Sequence, residues 1–100
     1  MNASEQTLHI TLLTIELHIP FSRSLKDKRS AIRSIKDRLR EKFNASVVEF
    51  AYQDKWQRAM IGVCMISGDK RKLESDRDLV RQLCEEMPQV EIADFRQEWL

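Results

Sequence analysis

In LHITLLTIELHI, residues 8–19, the apolar alternation changes phase between Leu12 and Leu13, so apolar side chains fall on both faces of an extended segment. That predicts a central strand carrying a bulge. Pro20 ends it, and Ser24 followed three residues later by Asp27 has the form of a capping box, which starts a helix near Leu25. Leu25, Lys28, Ile32, Ile35, Leu39 and Phe43 then recur at helical spacing, giving an amphipathic helix to about Lys42. Asn44 closes it. ASVVEFAY (45–52) and RAMIGVCMIS (58–67) read as two strands of a hairpin joined by QDKWQ. Gly68 and Asp69 mark a turn and a cap, after which Leu73, Val80, Leu83, Cys84 and Met87 line one side of a second helix that Pro88 terminates. QVEIADFRQEWL supplies the last strand.

The order βαββαβ predicts an α+β ferredoxin-like sandwich: a four-stranded antiparallel sheet in the order 4-1-3-2 with two helices on one face. Strands one and two then run parallel. The loop after strand one, the hairpin and the turn after helix two therefore meet at one end of the sheet, which sets FSRSLKDKR against QDKWQR. Residues 1–7 are expected to be a flexible tail, and residues 8–100 a single domain, since 100 residues hold one modest core.

Composition leaves that picture standing, and charge alters it. The net charge is only +1, yet residues 23–42 hold nine Lys or Arg against three Asp or Glu, while the rest of the chain holds eight against thirteen, so +6 faces −5. No apolar run approaches the roughly 20 residues of a membrane span, and the N-terminus lacks the features of a secretory signal, so a cytoplasmic protein is expected. Cys64 and Cys84, in apolar segments without CxxC spacing, read as buried reduced thiols. His9 and His18 fall on opposite faces of one strand and cannot grip one metal, so neither a metal nor a cofactor is expected.

IPFSRSLKDKRS, NASVVEF, QDKWQRAMIGVCMIS and the terminal EWL together resemble the YlxP-like family of small bacterial proteins, a domain of unknown function. The resemblance covers residues 8–100 and is most specific at RSLKDKR and WQRA. It departs from the family in seven extra residues at the start, and in Phe50 and Ala51, where smaller or more polar residues are usual. The resemblance implies a ferredoxin-like fold. It also implies a link to ribosome or RNA function, because the family's genes often lie beside those of translation factors and a ribosome-binding factor. The family has no agreed catalytic residues to carry over.

Arg23, Lys26, Lys28, Arg29 and Arg33 cluster about the N-terminus of the first helix, where the dipole already favours an anion and cations do not help the helix. They are the expected phosphate contacts of structured RNA or a ribosomal subunit, with Lys55, Trp56 and Arg58 as an adjoining rim. Arg33, Lys36 and Arg40 extend the stripe. The competing structural reading pairs Asp54 with Arg23 or Arg29 and packs Trp56 on Pro20 or Phe21. The central strands lack the aromatics of an RNA-recognition motif. Their second apolar face, with Met60, Cys64 and Ile66 opposite Ile61, Val63 and Met65, predicts a homodimer or docking surface unless the tail or Trp99 covers it. Such a face also suits a homo-oligomeric small-ligand or protein-interaction module. An acylphosphatase-like hydrolase shares the topology, but PFSRSLKD has no glycine for a phosphate cradle and no catalytic set can be assembled, so an enzyme is not expected.

Overall fold

The computed structural model describes residues 7–100; the expected tail, apart from Thr7, lies outside them. Six elements follow in order: β1 (His9–His18), α1 (Leu25–Lys42), β2 (Ala45–Ala51), β3 (Arg58–Ser67), α2 (Lys70–Glu86) and β4 (Glu91–Trp99). The strands lie in the order β2-β3-β1-β4, every neighbour antiparallel, which is the ferredoxin-like order read from the other edge. Leu13, Ile15 and Leu17 of β1 and Ile61, Val63 and Met65 of β3 are buried together with Ile32, Ile35 and Leu39 of α1 and Leu73, Val80 and Cys84 of α2.

The caps form as the sequence predicts. Ser24 Oγ accepts from the Asp27 backbone N–H at 3.0 Å and starts α1, while the Asp27 carboxylate accepts from the Arg23 N–H at 3.0 Å, one residue before the cap itself. Asp69 caps α2 by accepting from the Arg71 N–H.

The expected bulge in β1 is corrected. Alternation along β1 is unbroken, because Thr11 occupies a core-facing position: fully buried, its hydroxyl donates to the Glu98 carbonyl and accepts from Gln97 Nε2. A polar residue facing the core, followed by Leu12 on the opposite face, imitates a phase change. The irregularities lie in the edge strands. Opposite Glu16 and Leu17 the β4 partners pass from Asp94 to Ile92, leaving Ala93 as the extra residue, and in β2 Phe50 is extra between Glu49 and Ala51. Both bulges sit at the hairpin end, where they bend the edges away from regular pairing.

The other sheet face carries Ile10, Leu12, Val48, Phe50, Met60, Cys64 and Ile66, with Val48, Phe50 and Ile66 about half exposed. Among the described residues, no helix crosses this face. Trp99 stands on the opposite side, opposite Thr11 in the ladder and 4.8 Å from the Lys70 ammonium of α2, so it cannot cover the patch. Cys64 belongs to this open face and is only partly buried, which corrects its expected burial; Cys84 is in the core, and both thiols are free. His9 and His18 fall on opposite faces, and no cluster of three metal-ligating side chains occurs among the described residues. No helix among them is long and apolar enough to cross a membrane.

Candidate nucleic-acid interface

Lys28 is fully buried, and the expectation that it contacts phosphate is corrected. Its ammonium donates to the Tyr52 carbonyl at 2.6 Å and the Arg58 carbonyl at 3.1 Å, the two ends of the β2–β3 turn. Glu49 Oε2 lies 3.1 Å from the same nitrogen as an ion-pair partner, off the line of a hydrogen bond. A lysine is almost never fully buried unless paired; here the pairing pins the first turn of α1 to the hairpin. Tyr52 needs that hold, because at φ 58° it occupies the left-handed region that a bulky side chain rarely adopts. The signal was present in the chain: Lys28 falls in the apolar register of α1, between Leu25 and Ile32.

The two loops at this end are tied by Gln57, which sequence reasoning missed. Its side-chain amide donates to the carbonyls of Pro20 and Ser22, both at 3.1 Å, and its own carbonyl accepts from the Ile19 N–H at 2.9 Å. Arg58 is likewise engaged. Its Nε donates to Glu16 at 2.9 Å, and its guanidinium stacks 3.8 Å from the Tyr52 ring centre. The hydrogen bond to Glu16 is the main cause raising its pKa further above an already high value. Arg58 therefore joins the sheet to the hairpin as much as it faces solvent.

Among the described residues, the remaining expected contacts are free of such ties. Arg23, Lys26, Arg29, Arg33, Lys55 and Trp56 are exposed, and no ion pair joins Arg23 or Arg29 to Asp54 among the described residues. Trp56 is 54% exposed and Phe21 84%, so both rings keep much of their surface in solvent. Arg29, Arg33, Lys36 and Arg40, in steps of four, three and four, share the flank of α1 that faces β2. With Asp37 and Glu49 they line a cleft of about 330 Å³. Arg40 also donates to the Val47 carbonyl at 2.8 Å. Lys26 joins Arg29 and Arg33 on a neighbouring hollow, and from Lys26 to Arg40 the flank runs about 21 Å at 1.5 Å per residue.

The two helices handle charge differently. α2 neutralises itself through Lys72–Asp76, Arg77–Asp78 and Arg81–Glu85. Among the described residues, the only ion pair from α1 is the one Lys28 makes with Glu49. A row of cations without ion-pair partners among the described residues, in a cleft whose acids are Asp37 and a partly buried Glu49 already matched by Lys28, presents net positive potential to solvent.

The family model described as Protein of unknown function (DUF503) matches residues 10–97. The uncharacterized protein YlxP of Bacillus subtilis (strain 168) is 36% identical over 76 residues, 76% of this chain and 83% of that protein. Among solved structures, protein YJCS from structural genomics superposes with a TM-score of 0.53 at 8% identity, over 89% of this chain and 96% of that one, a likeness of fold alone. A REP-associated tyrosine transposase bound to a REP hairpin reaches a TM-score of only 0.46 at 10% identity, over 91% of this chain and 55% of that one. With its motifs RSLKDKR and WQRA meeting at one end of a βαββαβ sandwich, and a family model spanning nearly all its elements, the chain belongs to the DUF503 family, the YlxP-like proteins of unknown function.

Proposed function

We propose that the protein is a non-catalytic cytoplasmic binding module that contacts the phosphates of structured RNA, in the setting of ribosome assembly or translation, through the β2-facing flank of α1. The observation that carries this reading is the row Lys26, Arg29, Arg33, Lys36 and Arg40, on which no acidic side chain forms an ion pair among the described residues, beside a second helix that forms three ion pairs within itself. Arg23 and Lys55 extend the row at its hairpin end. Lys28 supports the site by fixing the hairpin against α1 and does not touch the ligand.

The test is binding to ribosomal RNA fragments and to ribosomal subunits across a salt series, with Arg29→Glu plus Arg33→Glu as the variant. Each neutralised phosphate contributes roughly −0.7 to −0.9 to the slope of log affinity against log salt, so reversing two contacts should flatten the slope by about 1.5 and weaken binding at low salt. Both positions are exposed, so the fold should survive. An affinity indifferent to the reversal, or a flat salt dependence in the native chain, refutes the reading.

We also infer a homodimer through the open sheet face. Ile10 and Leu12, opposite Ile66 and Cys64, form an apolar cluster at the end of the face away from the hairpin, Thr14 and Gly62 leave its middle uncharged, and Glu16–Arg58 and Asp94–Arg96 neutralise each other within one chain toward the hairpin end. A two-fold interface sets each group near the axis against its own copy, which an uncharged centre tolerates and a charged one does not. The face projects on the order of 600 Å² from its strand spacings, comparable with the roughly 800 Å² each partner gives to a stable interface.

A further inference from the structure

We infer that the hairpin end binds unpaired bases, with Trp56 as the principal stacking ring and Phe21 as a second. The inference rests on the phosphate reading above and narrows its ligand to RNA containing single-stranded loops or bulges. Three observations carry it.

Both rings are held out in solvent, at 54% and 84% exposure, although the backbone beneath them is fixed. The Gln57 amide clamps Pro20 and Ser22 on either side of Phe21, and Gln57 is itself the neighbour of Trp56. Ser22 is buried and donates to the Ser24 carbonyl, and Lys28 anchors Tyr52 and Arg58 at the two ends of the turn that carries Trp56. Aromatic side chains on locked loops lose little freedom when a ring stacks on them.

Each ring also borders a groove. Trp56, with Lys55, His18, Glu91 and Ile92, edges an open one of about 750 Å³, and Phe21, with Ile19, Ser30 and Pro88, edges one of about 450 Å³. Either is roomy for a flat base, whose edge at the first would meet His18 and Glu91, 3.4 Å apart.

Finally, exposed cations stand close to the rings in the chain, Arg23 and Lys26 after Phe21 and Lys55 before Trp56, while Ile92 beside Trp56 and Ile19 and Pro88 beside Phe21 give the two grooves separate apolar linings. A protein partner calls for a contiguous apolar patch, whereas two rings on separate grooves with exposed cations close in the chain suit a strand that offers bases and phosphates in alternation. The sheet surface supplies no such platform, so the loops take its place.

The probe is a hairpin RNA with an adenosine-rich loop, compared with the same stem closed as a blunt duplex. A Trp99→Phe background leaves Trp56 as the sole tryptophan. The loop RNA should quench its emission and the duplex should not. Trp56→Ala should weaken loop binding about 5- to 150-fold and Phe21→Ala in the same direction, with duplex affinity and the salt slope unchanged. If both alanine variants bind the loop RNA within about twofold of the native chain while Arg29→Glu plus Arg33→Glu still loses it, base stacking is refuted and the phosphate reading stands. If the arginine reversal changes nothing, the phosphate reading falls, and this inference with it. Quenching that follows protein concentration without RNA would assign the rings to self-association and overturn the proposal.

Discussion

Lys28 shows how one residue can look like a ligand contact and be a strut. Removing an ammonium from water costs several kcal/mol, and the cost is met only where a carboxylate and hydrogen-bond acceptors surround it. Glu49 and the carbonyls of Tyr52 and Arg58 do so. Lys28→Met leaves the Glu49 carboxylate without its cation, so the expected loss is about 3–5 kcal/mol. For a domain of this size each kcal/mol lowers Tm by about 4–8 °C, so the drop should exceed about 12 °C. Adding Glu49→Leu should recover part of it. A single-variant loss under about 1 kcal/mol in urea unfolding would show that the pair does not hold the hairpin. Cys84 gives a second residue-scale expectation. Burial pushes its thiol up to about 11 from an ordinary 9.0. The folded state thus favours the neutral thiol: its contribution is full below about pH 9 and is lost as pH rises toward 11, by about 2 to 3 kcal/mol. Urea unfolding from pH 8 to 11 should show this alkaline loss in the native chain and less of it in Cys84→Ala; equal losses would contradict it.

At the scale of elements, six segments were legible because their periods are clean and their caps are local. Ser24 with Asp27, and Asp69 after Gly68, need only neighbouring backbone to act, and the structure uses them as their spacing implies. The bulge was misplaced because Thr11 hides in the core through bonds to Glu98 and Gln97, residues far along the chain that no local pattern reveals. The same limit applies to the site. Arg29, Arg33, Lys36 and Arg40 could be placed on one flank from spacing alone, but which cations are spent elsewhere depends on tertiary partners. Lys28 is spent on two carbonyls, and Arg58 on Glu16 and Tyr52. Gln57 gave no warning, since an amide between a tryptophan and an arginine reads as surface until the loop it clasps is seen. Charge count found the basic end, and burial sorted its members into supports and exposed cations.

For the whole molecule, the two sides of the sheet divide the work. Helices cover one side and turn the α1 flank outward; among the described residues no helix covers the other side, which exposes Val48, Phe50 and Ile66. A face-to-face pair would bury Val48, Phe50 and Ile66 and leave two basic flanks pointing away from each other, a bivalent arrangement in which the second contact forms at high local concentration. Sedimentation equilibrium at micromolar concentration should therefore show a dimer, and Val48→Lys plus Ile66→Lys, which places like charges against their copies, should return a monomer with its Tm little changed because both side chains are about half exposed. Cys64 reports the same event chemically: a partly buried thiol on the open face, it should react with maleimide more slowly as protein concentration rises in the native chain and at a constant rate in the double lysine variant. Cys84, in the core, is silent in both. A native chain that sediments as a monomer, with Cys64 reacting at a rate independent of concentration, would leave the apolar face without a second copy and remove the bivalent arrangement along with it.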